Sequence, residues 1–293
     1  MSTIRNYILL SYGLTWWIWL VIWLFGIQLG EPISQIGTVV AMWIPALSYF
    51  IVKKWQPEQY QLRADFRLHF KKNWKYYLLA MWGPTILTCF GASLYFLIFK
   101  NQFSLHFKGL EQMLPNTGQK LIAVPLKVVA MVQIISSMTF APLLNTFFAL
   151  GEEIGWRGYL YPALRTKFPT LQSHLLTGII WSFWHFPLNL QGYNFGLAYW
   201  GAPWLGLVAM FVFCFSIGVF LSFVMEKTGS LWAPALLHGA VNASAGIGIL
   251  FQVPSDQALA MRFLGPSPVG LLAGLPILMV AFLILFKRKD SQR

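Results

Sequence analysis

Eight apolar runs, each about as long as a bilayer is thick, constrain this chain more than any other feature of its sequence. A helix needs roughly 20 apolar residues to cross a hydrocarbon core of about 30 Å. The runs cover residues 7–29, 34–52, 75–99, 128–150, 173–191, 203–225, 229–252 and 267–286. Only 10% of the residues are charged, and the mean hydropathy is +0.60. The sequence therefore excludes a soluble domain and predicts an all-α, polytopic membrane protein with about eight transmembrane helices.

The whole chain, residues 1–293, is expected to form a single membrane domain. No internal repeat, low-complexity tract or long linker divides it. The first run is interpreted as a membrane helix because no small-residue cleavage site follows a short apolar core, as it would in a signal peptide. Cys89 and Cys214 each lie inside a run without a CxxC neighbour, which favours small packing residues.

Charge in the loops predicts the orientation, since Lys and Arg collect on the cytosolic side of a membrane protein. If the N-terminus is cytosolic, sixteen of these residues lie on the cytosolic side and four outside, with Lys127 at the edge of the fourth run. We therefore expect both termini in the cytosol. Topology and anionic lipid explain the net charge of +12 without nucleic acid.

Adjacent glutamates, Glu152 and Glu153, precede Arg157 in the pattern EExxxR at the end of the fourth run. Helical side chains four positions apart share a face, so Glu153 can pair with Arg157 while Glu152 points about 100° away. Glu152 is then the candidate general base, and Glu153 with Arg157 a structural clamp. The alternative is that both glutamates are solvated at a helix end, but the apolar residues on either side oppose it.

One histidine, His185, lies in the fifth run. A lone histidine on an apolar helix is more often a satisfied core residue than a catalyst. At a rise of about 1.5 Å per residue, however, His185 and Glu152 both lie roughly 15 Å into the membrane, and His238 roughly 12 Å. Ionisable residues inside a membrane are costly. Three of them at one depth on different spans predict a shared site on the cytoplasmic side.

The seventh run carries His238 and Asn242, four positions apart in the pattern HxxxN. As two neutral hydrogen-bond donors on one helix face, they can hold a developing oxyanion. Small neighbours such as Gly239 and Ala240 also indicate a closely packed helix interface. Both interpretations can hold at once.

These motifs, in this order, resemble the CPBP family of intramembrane proteases. That family includes the type II CAAX prenyl endopeptidases and the Abi-like bacterial proteins once called abortive-infection or bacteriocin-immunity proteins. The resemblance covers about residues 140–250, the expected catalytic core. The family's FxxxH corresponds to Trp181 and His185, so Trp181 stands where Phe is usual. We interpret Trp181 as a packing residue whose aromatic ring takes the place of the phenylalanine ring.

The resemblance implies hydrolysis of a peptide bond by water activated between Glu152 and His185. His238 and Asn242 would stabilise the oxyanion, as their spacing also suggests. The expected site residues are catalytic Glu152, His185, His238 and Asn242, supported by Glu153, Arg157 and Trp181.

This chemistry needs no metal, so we expect no cofactor. Zinc is the alternative, because Glu and His are ligands that zinc accepts. Its ligands would be Glu152, His185 and His238. No HExxH motif occurs, and His174 is eleven positions from His185, so the sequence contains no local ligand pair.

We therefore expect an intramembrane endopeptidase whose cavity opens to the cytoplasmic side of a bacterial plasma membrane. Membrane lipid and a membrane-associated peptide or protein, including a lipidated one, are the expected partners. Lipidated CAAX-type peptides, leader peptides, pheromone precursors and bacteriocins are all candidate substrates. The alternative from another class is a non-catalytic membrane protein such as an immunity factor or scaffold. A transporter is disfavoured, because repeated halves with broken helices are not evident.

Overall fold

The computed structural model describes residues 2–58, 61–113 and 124–290. Within these residues the protein is helical, and its extended pairing is limited to two isolated bridges, Asp65 with Ser230 and Phe103 with Gln252. The main helices are α1 Ser2–Leu24, α2 Pro32–Trp55, α3 Phe70–Ile98, α4 Leu126–Met138, α5 Ala141–Glu153, α6 Thr170–Trp184, α7 Phe186–Leu190, α8 Trp204–Thr228, α9 Trp232–Ser244 and α10 Leu275–Asp290. The all-helical, membrane-spanning fold class is confirmed.

The predicted count of eight spans is not confirmed. Among the described residues, five helices are long and apolar enough to cross a membrane. A sixth is counted if α4 and the helical stretch Ala141–Arg165, bent by 54° relative to each other, form one span.

Three predicted runs are shorter as helices than as sequence. The fourth run divides between α4, which ends at Met138, and α5, which begins at Ala141. The fifth run divides where α6 ends at Trp184 and α7 begins at Phe186, with Pro187 in the first turn of α7, where its missing N–H breaks no helical bond. The eighth run begins in non-helical backbone rich in Gly and Pro, and α10 starts only at Leu275. Hydropathy detects apolar character but not these breaks.

The bundle has two ends, which we define by the helix termini there. The terminal face holds the start of α1, the end of α2 and the α2–α3 connection, where Arg63 N–H donates to the Gly158 carbonyl. It also holds the α8–α9 turn, where Leu231 N–H donates to the Asp65 carbonyl. The distal face holds the α1–α2 turn, the end of α3 and the start of α8.

Glycine lets α9 approach α5 closely. A Cβ on Gly239 would lie 2.7 Å from both the Pro142 carbonyl oxygen and the Thr146 nitrogen. A Cβ on Gly151 of α5 would lie 2.6 Å from the Met42 carbonyl oxygen of α2. The interpretation of Gly239 as a close-packing residue is thus confirmed, and α5 lies between α2 and α9 with its backbone near both.

Candidate active site

The end of α5 carries both glutamates, and the helix widens directly after them. Ile154–Leu160 forms a π-helical segment before the final turn, Tyr161–Arg165. Such segments are rare and are frequent at functional sites. All seven residues of the segment are buried. The segment that directly follows the two glutamates is therefore part of the protein core.

Glu152 is buried and accepts two hydrogen bonds at one carboxylate oxygen. The indole Nε1 of Trp181 donates to Oε2 over 2.7 Å, and the indole Nε1 of Trp156 donates to it over 3.2 Å. The interpretation of Trp181 as only a packing ring was therefore wrong, since a phenylalanine ring has no N–H to donate. Trp156 was missed altogether by the sequence reasoning.

Glu153 faces a different set of partners. Arg157 Nη1 donates to Glu153 Oε1 over 3.1 Å, which confirms the predicted pair, and both side chains are fully buried. His238 Nδ1 lies 2.8 Å from the same oxygen. The guanidinium also lies 4.1 Å from the centroid of the Trp181 ring, within the range of a cation–π contact. Glu153 therefore joins α9 to α5 as well as clamping Arg157.

The partners of the two histidines determine where their protons are. His185 Nδ1 lies 3.0 Å from the Trp181 carbonyl oxygen, which can only accept, so Nδ1 carries the proton. His238 Nδ1 likewise donates to the Glu153 carboxylate. In the neutral form of either ring, Nε2 is then a lone-pair acceptor. The expectation that His238 is a neutral donor is corrected: it can donate from Nε2 only as an imidazolium.

One cavity of about 360 Å³ brings the four predicted catalytic residues together. Glu152, His185, His238 and Asn242 all line it, from α5, the α6–α7 junction and α9. Four polar lining residues were missed: Thr38, Asn145, Tyr193 and Asn194. Asn145 lies seven positions before Glu152, a helical spacing that places both on one face. No periodic signal marks Tyr193 and Asn194, which lie in a loop.

The rest of the lining is mainly apolar and comes from the distal half of the bundle. Between Glu152 and the terminal face, the rings of Tyr7, Trp156 and Tyr159 are buried. The Tyr7 ring centroid lies 5.0 Å from that of Tyr159 and 5.9 Å from that of Trp156. The predicted cytoplasmic cavity and the predicted cytosolic termini therefore cannot both be correct, because cavity and termini lie toward opposite ends.

The residues fit a zinc ion only in part. A zinc-bound histidine usually donates its other ring N–H to a carboxylate or a backbone carbonyl, as His238 and His185 do here. Within the described ranges, however, no three His, Cys, Asp or Glu side chains are grouped closely enough to hold a metal ion. Zinc therefore stays the alternative to a metal-free site.

Fold and site together define a class: a helical membrane protein with a buried carboxylate and two histidines around one cavity. The family model of type II CAAX prenyl endopeptidases, Rce1-like, matches residues 130–244, which include every predicted site residue. CAAX prenyl protease 2 of Methanococcus maripaludis is 28% identical over 110 residues. That match covers 36% of this chain and 40% of the relative, so the chain spans less than half of the relative's length. Both findings support membership of the CPBP family of intramembrane proteases.

Proposed function

We propose that the protein is an intramembrane endopeptidase that hydrolyses a peptide bond with water activated by Glu152. The observation that carries this proposal is the placement of Glu152, His185, His238 and Asn242 around one cavity. A carboxylate and a neutral imidazole nitrogen are the groups that take protons from water in general base catalysis. Family membership supports the reaction class.

The hydrogen bonds of Glu152 divide its two oxygens between two tasks. Oε2 is held by the two indole N–H groups, whereas Oε1 has no hydrogen bond to any residue in the described part of the chain. Oε1 is then the oxygen available to a water molecule in the cavity. His185 offers Nε2 as a second acceptor, so two groups orient the attacking water.

In the proposed reaction, water forms a bond to the peptide carbonyl carbon while one of its protons passes to Glu152. The carbonyl oxygen becomes an oxyanion, and the side-chain amide of Asn242 donates to it. His238, when protonated on both ring nitrogens, contributes a second donor from Nε2, while its Nδ1–H stays hydrogen-bonded to Glu153 Oε1, the oxygen that Arg157 also contacts. When the C–N bond breaks, Glu152 returns the proton to the leaving nitrogen. Donors placed for an oxyanion contribute about 3–4 kcal/mol each to lowering the barrier.

The apolar lining suits a substrate with apolar side chains or a lipid anchor. Trp19, Met42, Phe148, Met210 and Phe213 all face the cavity. We propose a membrane-associated peptide or protein, including a lipidated one, as the substrate class. The name of the archaeal relative supports CAAX-type peptides within that class.

Comparison of membrane peptides from two strains tests the proposed function. Cells that express the wild-type chain should contain cleavage products that are absent from cells that express Glu152→Ala. Glu58→Ala is the matched control, because Glu58 is an exposed glutamate at the terminal face. Identical peptide profiles in the wild-type and Glu152→Ala strains would contradict the proposal.

A further inference from the structure

The connection between α7 and α8 begins with tight turns on both sides of Tyr193. Tyr193 N–H donates to the Leu188 carbonyl over 3.0 Å, and Phe195 N–H donates to the Tyr193 carbonyl over 2.8 Å. The two neighbours of Tyr193, Gly192 and Asn194, have φ angles of 92° and 66°, in the left-handed region that few residues adopt. The backbone of Tyr193 is therefore fixed from both directions.

The side chain of Tyr193 lines the cavity next to a predicted catalytic residue. Its ring is parallel to that of His185, with 8° between the ring planes and 6.3 Å between the centroids. The side chain is half-buried and shares the cavity with Glu152 and Asn242. Its hydroxyl has no hydrogen-bond partner in the described part of the chain. The O–H is thus available to a molecule bound in the cavity.

The surroundings of Tyr193 keep its hydroxyl protonated. Tyr193 lies in the α7–α8 connection, outside the helices that can span a membrane. Burial, and to a smaller extent the charge of the nearby Glu152 carboxylate, raises the pKa of Tyr193 to about 12. A phenol with such a pKa keeps its O–H at neutral pH, so the group acts as a hydrogen-bond donor.

The proposed reaction needs a donor of this kind, because the donor on His238 is conditional. His238 Nδ1–H donates to Glu153, so Nε2 donates only when the ring is protonated on both nitrogens. While the ring is neutral, Asn242 is the one member of the predicted pair that donates. A tyrosine hydroxyl donates in either protonation state of His238.

We propose that Tyr193 is a further catalytic residue, whose hydroxyl donates a hydrogen bond to the oxyanion together with Asn242. This role rests on the proposed function, since it adds a group to the same reaction. Water still forms the bond to the carbonyl carbon, and Glu152 still carries the proton from water to the leaving nitrogen. Tyr193 keeps its own proton throughout. Its hydrogen bond strengthens as the carbonyl oxygen gains negative charge, which lowers the barrier.

Tyr193→Phe tests this role, because it removes the hydroxyl and keeps the ring against His185. We expect kcat to fall about 10²- to 10³-fold, with KM and the melting temperature nearly unchanged. The measurement is steady-state cleavage, by the purified full-length chain, of a peptide found in the strain comparison. Tyr199→Phe is the matched control: Tyr199 lies in the same connection but packs on Phe195 and Phe263, and it should keep the wild-type kcat.

The outcomes separate the role of Tyr193 from the proposed function. A wild-type kcat in Tyr193→Phe, with Glu152→Gln inactive, would overturn the role and leave the proposed function intact. A raised KM at an unchanged kcat would also overturn it, because the hydroxyl would then bind substrate and transition state equally. So would a fall in kcat that accompanies a lower melting temperature, which would make the hydroxyl a structural group. No cleavage by a folded wild type would contradict the proposed function and the role with it.

Discussion

The carboxylate of Glu152 is held by two tryptophans, and the position of one of them is usually phenylalanine in the resembled family. Two N–H donors on one oxygen restrict rotation of the carboxyl group and direct the other oxygen toward water. A general base that is already oriented toward the attacking water reacts faster than one that rotates freely. The indole of Trp181 is therefore a positioning group as well as a packing ring.

Trp181→Phe keeps the ring and removes the 2.7 Å hydrogen bond to Glu152. A hydrogen bond to a charged group is worth about 1.5–3 kcal/mol, so we expect kcat to fall by about 10- to 100-fold with little change in KM. The measurement is steady-state cleavage of a peptide substrate in detergent. Trp82→Phe is the control, since it removes an indole hydrogen bond to the Met138 carbonyl at the surface. A kcat for Trp181→Phe equal to that of the control would show that the ring alone suffices.

The two glutamates should respond differently to loss of charge. Glu152→Gln removes the base but preserves shape, so we expect no cleavage and a nearly unchanged melting temperature. Glu153→Gln leaves Arg157 as a buried charge without a carboxylate partner, at a cost of about 3–5 kcal/mol, and also removes the charge beside His238. We expect it to lose both activity and thermal stability. Equal melting temperatures for the two variants would contradict the division between base and clamp.

His238 distinguishes the metal-free site from a zinc site. His238→Gln keeps a donor beside Asn242 but is a poor metal ligand, so we expect cleavage about 10²–10³-fold slower yet measurable. A strong chelator should have little effect, and elemental analysis of the purified protein should give well under one metal per chain. Chelator-sensitive activity that zinc restores, together with an inactive His238→Gln, would instead make Glu152, His185 and His238 zinc ligands.

How far the sequence predicts this site depends on the kind of contact. Spacing along one helix was sufficient to pair Glu153 with Arg157, because residues four apart share a face. The same rule places Trp156 on the helix face of Glu152. The sequence reasoning did not consider the N–H of its indole ring as a hydrogen-bond donor to the carboxylate. The bond from His238 to Glu153 joins positions 85 apart in sequence, and only the packing of α9 on α5 reveals it.

At the scale of helices, the approach of α9 to α5 keeps His238 within reach of Glu153. Gly239, the residue after His238, lies against the backbone of α5 between Pro142 and Thr146. The two groups that hold Glu152 come from the π-helical segment after α5 and from α6. The site thus depends on relative helix positions, which a list of apolar runs does not contain.

Gly239→Ala should separate α9 from α5. A Cβ there would lie 2.7 Å from backbone atoms that cannot move alone, and overpacking of this kind costs about 1–3 kcal/mol. We expect a lower melting temperature together with a loss of cleavage. Gly13→Ala is the control, since a Cβ at Gly13 meets nothing within 4 Å and alanine favours a helix. Wild-type stability of Gly239→Ala would show that the interface tolerates wider spacing.

Apolar runs predict membrane crossing better than they predict helix bounds. Thr3–Leu24 and Pro32–Trp55 correspond to their runs to within a few residues. The fifth run does not, because α6 ends one residue before His185, where the chain turns into α7. The break at His185 frees its backbone from a continuous helix and places the ring beside the cavity. The fifth run is therefore one of those that no single described helix covers, and its break lies at the site.

For the whole molecule, the central claim is that this cavity is a peptidase site with Glu152 as its base. The most direct test is cleavage by the purified full-length chain in liposomes, with a peptide found in the strain comparison and product detected by mass spectrometry. We predict cleavage by the wild type that falls at least about 10²-fold in Glu152→Gln, while Glu58→Gln stays at the wild-type rate. Equal cleavage by wild type and Glu152→Gln, or none by a folded wild type, would contradict the account.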